Sequence, residues 1–131
     1  MKDYLIDSSV WIDYFRNANP TMANFVDNLI DENRVYINGI ILTELLSGAR
    51  SQKEVNTLTS TLNGLHFTES NRSRFEKAGL IGYRLKRLGV SVPLSDVLIA
   101  CDCLEENLML LDNDRHFAFI AKHLPLKRHS K

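Results

Sequence analysis

No stretch of the chain stays apolar for the roughly 20 residues that a bilayer crossing requires. Neither sign of charge is in surplus, since 16 basic residues balance 16 acidic ones in a chain of 131. The first absence excludes a membrane-spanning helix. The second removes the strongly basic footprint of many nucleic-acid binders, so any such binding must come from local patches. The opening residues Met1-Lys2-Asp3-Tyr4 lead directly into a strand-like run and lack the basic, apolar and small-residue regions of a secretory signal, which makes the cytoplasm the expected compartment. Cysteine is scarce, with only Cys101 and Cys103. Two residues apart on a helix they point about 200° from one another, unsuited to sharing a bond or a metal, and they read as reduced thiols. Repeats, linkers and low-complexity tracts are also missing, so one domain spanning residues 1–131 is expected.

What is present is an ordinary globular balance, 44% apolar and 24% charged, arranged in short apolar runs between segments of helical periodicity. Tyr4-Leu5-Ile6 reads as a strand ending at Asp7, with Ser8-Ser9 as a cap for a helix through Phe15. A helix over Met22 to Ile30 and a strand at Val35-Tyr36-Ile37 follow. Ile40 to Leu46 and Gln52 to Leu62 read as helices, Leu65-His66-Phe67 as a short strand, and Asn71 to Leu88 as a long helix closed by Gly89. Ser95 is expected to cap the next helix, Met109-Leu110-Leu111 is a buried strand, and a last helix lies near Phe117 to Ala121. Leu124-Pro125-Leu126 is a candidate edge strand, and the basic tail from Lys122 to Lys131 is expected to fray at its end. Strands alternating with helices predict an α/β fold, a central parallel sheet flanked by helices on both faces.

In open sheets of this kind the functional crevice lies beyond the carboxyl ends of the strands. Asp7, Asp112 and Asp114 stand at such ends, Glu44 lies on the helix after the second strand, and Asp96 opens a helix whose preceding loop returns to the same edge. An acid after a strand is commonly only a turn residue or a cap. Asp7, Glu44 and Asp96, however, are embedded in apolar sequence, where solvated charges have little reason to be. Carboxylates brought close raise one another's pKa, and a hard divalent cation that prefers oxygen relieves the repulsion, so a Mg²⁺ or Mn²⁺ site is expected.

Four segments carry a resemblance: Leu5-Ile6-Asp7-Ser8-Ser9-Val10-Trp11-Ile12, Thr43-Glu44-Leu45-Leu46-Ser47-Gly48, Pro93-Leu94-Ser95-Asp96-Val97-Leu98-Ile99-Ala100, and Leu110-Leu111-Asp112-Asn113-Asp114-Arg115-His116-Phe117. In this order they resemble the PIN-domain nucleases, and within them the VapC toxins of bacterial and archaeal toxin–antitoxin pairs. The resemblance implies a PIN-like fold, with the family's acids at Asp7, Glu44, Asp96 and Asp114 and a supporting hydroxyl at Ser8. Asp112 stands where the family more often has Thr, which leaves the fourth acid open between Asp112 and Asp114; the offset from Phe117 favours Asp114. His116 occupies a variable place and gives no reason to invoke a catalytic histidine. The other histidines, His66, His123 and His129, read as ordinary surface or partly buried residues.

The resemblance further implies a metal-dependent endoribonuclease that leaves a 5′-phosphate and a 3′-hydroxyl, with Asp7, Asp96 and Asp114 on the metal and Glu44 either completing the shell or taking a proton from the attacking water. It also implies a homodimer and a VapB-like antitoxin whose C-terminal tail crosses the acidic site. For RNA phosphates, the long-helix set Arg72, Arg74, Lys77, Arg84 and Arg87 reads first as a solvated face, whereas Arg16, Arg50 and Arg115 stand close after the acidic segments. Trp11, Phe15, Phe25, Phe75 and Phe117 read as core residues rather than base-stacking platforms. The apolar stretch Ile40 to Leu46 is richer than one buried face needs and suggests a partner groove. Two rivals stand beside the toxin reading: a housekeeping RNA-processing PIN nuclease, and a Mg²⁺-binding signalling receiver. The receiver needs adjacent acids after the first strand, and Asp7 has no acidic neighbour.

Overall fold

The computed structural model describes residues 1–129. Its strands are β1 (Tyr4–Ile6), β2 (Val35–Ile37), β3 (His66–Phe67) and β4 (Met109–Leu111), joined in one all-parallel sheet in the order β3-β2-β1-β4. Leu5 pairs with Tyr36 on one side and Leu110 on the other, and Ile6 pairs with Leu111. The helices are α1 (Ser8–Phe15), α2 (Pro20–Asp31), α3 (Gly39–Ser47), α4 (Gln52–Leu62), α5 (Arg72–Arg87), α6 (Leu94–Glu106) and α7 (Arg115–Ala121).

The strands are short, and β1 and β4 lack the alternation of a sheet with one wet face, because helices cover both sides there. Leu5, Ile6, Leu110 and Leu111 are fully buried, and Val10, Trp11, Phe117 and Ile120 complete the packing beside them. Each such side chain removed from water contributes about 1.5–3 kcal/mol. Local signals set the helix starts: Asn19, Asn38, Ser51 and Asn71 each accept a hydrogen bond from the backbone N–H three residues on. Past the end of α5, Gly89 takes a φ of +80°, a left-handed conformation that a side chain would strain.

Chain order along the sheet locates the crevice. From β1 the chain steps to β2 and then β3 in one direction, then crosses back to place β4 on the other side of β1. Right-handed crossovers, the near-universal hand, put α1 to α4 on one face and α5 and α6 on the other. The direction of winding therefore reverses between β1 and β4, and the rule for open sheets puts the functional crevice beyond the carboxyl ends of those two strands.

A buried polar network fastens the far side of this edge. Asp102 of α6 accepts from Asn38 Nδ2 at 3.0 Å, Thr68 Oγ1 at 3.1 Å and Arg74 Nη1 at 2.7 Å, and Arg74 also reaches Glu106 at 2.9 Å. The ends of β2 and β3 are thereby tied to α5 and α6. Removing Asp102 leaves Asn38 and Thr68 without that acceptor and costs about 3 kcal/mol by the usual cost of orphaned buried groups.

Several expectations are corrected. Helix α1 begins at Ser8 itself with Asp7 in the capping position, and α6 begins at Leu94 with Pro93 before it, because the chain turns one residue earlier than the serines suggest. Leu124 to Leu126 forms no strand; pairing comes later, where Arg128 bridges Leu110 in parallel and His129 N–H donates to the Leu110 carbonyl. The tail is thus held through His129, whose ring stacks on Phe25 at 4.6 Å, while the expected fraying of residues 130–131 lies outside the described residues. Phe75 is half exposed rather than core, since helix α5 turns that position outward. Arg74 and Lys77 are paired with acids of α6, which removes them from any phosphate track. Among the described residues no helix is long and apolar enough to cross a membrane. Both cysteines are free and buried.

Candidate active site

Asp7 comes directly off β1, and its backbone N–H donates to the Leu111 carbonyl at 2.9 Å, which locks the end of β1 to the end of β4. The residue is 5% exposed. It stands in the capping position of α1 without capping the helix through its carboxylate; Ser9 Oγ donates to Oδ2 at 3.0 Å. Burial pushes the Asp7 carboxyl up to about 6, the Ser9 and Ser8 hydrogen bonds oppose that rise, and the charges of Asp96 and Glu44 add to it.

Asp96 lies in the first turn of α6 and is buried. Burial raises its pKa, the Asp114 and Glu44 charges raise it further, and a hydrogen bond from His116 pulls the other way. Asp114 precedes α7 and accepts from His116 N–H at 2.9 Å. Glu44 sits on the exposed side of α3, close enough for its charge to be felt at both Asp7 and Asp96. The four acids expected from the sequence therefore gather at one strand edge, brought by β1, α3, α6 and the loop after β4.

Asp112 is buried but otherwise engaged. Arg128 grips it with Nε at 3.0 Å and Nη2 at 2.7 Å, and its Oδ1 also accepts from the Asp114 N–H. It braces Asp114 and is not a free acid. The arrangement also exposes a participant missed from sequence. His116 Nδ1 lies 3.0 Å from Asp96 Oδ2 and 3.2 Å from Asp114 Oδ1, and one ligand atom from each of the three residues falls within 4.8 Å of the other two. Its position two residues after Asp114 was the only available signal.

Among the described residues, no lysine or arginine ion pair involves Asp7, Glu44, Asp96 or Asp114. Carboxylates this close, two with raised pKa and none held in an ion pair by lysine or arginine, suit a divalent metal with oxygen preference. Of the acids expected to hold it, Asp96 and Asp114 belong to that cluster of ligand atoms, and Asp7 lies close enough for the Asp96 charge to be felt. Beside Glu44 a groove of about 390 Å³ runs between α1, α3 and α4; Ile12, Phe15 and Leu45 give it an apolar wall, and Arg16, Arg50 and Lys53 give it positive charge. Ile40 and Leu42 of the apolar stretch stay outside it.

Residues 4–123 match the PIN domain family. A VapC ribonuclease of Mycobacterium bovis and ribonuclease VapC11 of Mycobacterium tuberculosis are each 31% identical to the chain over 122 residues, covering 90% of it and 91% of the relative. Among solved structures, DNA-bound VapBC from Salmonella typhimurium aligns with a TM-score of 0.80 at 19% identity, over 98% of both chains. VapBC2 from Rickettsia felis, bound to a promoter DNA fragment, aligns with a TM-score of 0.76 at 22% identity, over 96% of both chains. At such identities these two likenesses concern the fold.

Proposed function

The chain belongs to the PIN domain family, and on that premise we propose that it is a single-domain, metal-dependent endoribonuclease acting in the cytoplasm as the toxin of a VapBC-type pair. The observation that carries this reading is the convergence of Asp7, Glu44, Asp96 and Asp114 at the β1/β4 switch point, with Asp7 pushed up to about 6 by burial and by its acidic neighbours. The 31% identical relatives named as VapC ribonucleases support RNA as the substrate.

Asp7, Asp96 and Asp114 would hold Mg²⁺, with Mn²⁺ able to substitute. A divalent ion bound there supplies Lewis-acid polarisation of the phosphodiester and stabilises charge on the leaving oxygen. Glu44, the most exposed of the acids, completes the shell or accepts a proton from the attacking water. Attack at phosphorus breaks the bond to the 3′-oxygen, which takes up a proton, and the products carry a 5′-phosphate and a 3′-hydroxyl. Ser9 holds Asp7 in place, and Asp112 does the same for the loop that carries Asp114. Arg16, Arg50 and Lys53 flank Glu44 and suit the phosphates of a strand leading into the site. A VapB-like antitoxin and a second copy of the chain are the proposed protein partners.

The test is to express the chain alone and beside the product of its upstream reading frame, then sequence the RNA ends formed with Mg²⁺. Ends bearing 5′-phosphate that vanish with chelator, with Asp7→Asn and with the co-expressed partner are expected. RNA that stays intact at every metal concentration would overturn the nuclease reading.

A further inference from the structure

His116 stands among carboxylates that are proposed to hold a metal, yet it brings a nitrogen donor to what would otherwise be an oxygen shell. Its Nδ1 is 3.0 Å from Asp96 Oδ2 and 3.2 Å from Asp114 Oδ1. Two ligand atoms bound side by side on an ion, each by a bond of about 2.1 Å, stand roughly 3 Å apart. Both His116 edges have that spacing. A hydrogen-bonding role alone accounts for the pair less well, because Nδ1 carries at most one proton and faces two carboxylate oxygens. The ring is also free of competing duties: among the described residues its nitrogens have no other hydrogen-bond partner shown, and the side chain is about one-third exposed.

The geometry points to His116 as a direct nitrogen ligand of the divalent ion, together with Asp96 and Asp114, tuning this site toward Mn²⁺. Mg²⁺ prefers oxygen donors and near-ideal octahedral geometry, whereas Mn²⁺ and the later first-row ions accept imidazole. This inference rests on the reading of the acids as a metal site and names the ion that the site selects. The histidine follows Asp114 into the first turn of α7, so the same loop delivers both donors.

The experiment uses the full chain at equilibrium without RNA. Mn²⁺ and Mg²⁺ affinities are measured by titration for the unaltered protein, for His116→Ala and for His116→Gln, and electron spin echo spectra of bound Mn²⁺ are recorded in parallel. The expected result is an imidazole nitrogen modulation in the unaltered protein, lost in both variants. Mn²⁺ affinity should fall 10-fold or more, on the order of the loss when a metal site's supporting partner is removed, while Mg²⁺ affinity falls less than about 3-fold on the oxygen-preference argument. Bound Mn²⁺ without nitrogen modulation, or equal losses for both ions, overturns the inference and leaves the nuclease reading standing. An unaltered protein that binds neither ion overturns both.

Discussion

Arg128 and Asp112 form a two-point ion pair, with Nε to Oδ2 at 3.0 Å and Nη2 to Oδ1 at 2.7 Å, that anchors the C-terminal tail to the loop following β4. The Asp112 side chain is 2% exposed and the arginine 31%. Since Asp112 also receives the Asp114 N–H, the tail acts on the acidic site at second hand. Replacing Arg128 with Ala strands a buried carboxylate and should cost about 1–3 kcal/mol. RNA cleavage should fall about 10-fold or more, as for other groups that orient metal ligands. Arg128→Lys, which restores one contact, should recover part of both. Cleavage that is unaffected by Arg128→Ala would separate the tail from the site.

Stability should depend on pH through Asp7. Its pKa in the folded state, about 6, lies above the ordinary value of 3.8, so the folded protein holds the proton more tightly than the unfolded chain. The favourable contribution is full below about pH 4 and is lost as pH rises through 6, leaving an ionised, buried carboxylate at neutral pH. Asp7→Asn, which does not ionise, should therefore stabilise the metal-free protein at pH 8 by up to about 3 kcal/mol, with the gain shrinking toward pH 4. Denaturant titrations in chelator at both pH values measure this, and a divalent ion should then stabilise the unaltered protein more than the variant. An equal loss of stability at both pH values would show that Asp7 is held by its contacts and not strained by its charge.

Arg16 and Arg50 offer a test of where the RNA strand runs. Both line the groove beside Glu44, whereas Arg74 is engaged with Asp102 and Glu106. Arg16→Ala and Arg50→Ala should each weaken RNA binding and lower the salt dependence of log K by about one ion's worth, close to 0.7 for a single strand. Metal affinity and folding stability should hardly move. Should both variants keep the original salt slope, the strand enters along another path.

Hydrophobic period and turn chemistry are properties of neighbouring residues, which is why the helices and strands of the described residues were legible from the residues alone, as was Gly89 closing α5. The acids could be picked out because Asp7, Glu44 and Asp96 sit in apolar sequence. Their gathering could not be measured that way, because it depends on the sheet order β3-β2-β1-β4 placing the ends of β1 and β4 side by side. The rival roles of Asp112 and Asp114 were inseparable for the same reason: the residue that divides them, Arg128, arrives from 16 positions away.

Left to itself, then, the amino-acid order determined the elements, the parallel α/β class and the acids available for metal chemistry, since each is written within a few adjacent residues. Tertiary structure alone decided that Phe75 faces outward, that Arg74 is consumed by a buried network, and that His116 stands between two carboxylates. Those outcomes depend on distances between segments remote along the chain, and such distances exist only once helices have packed on the sheet.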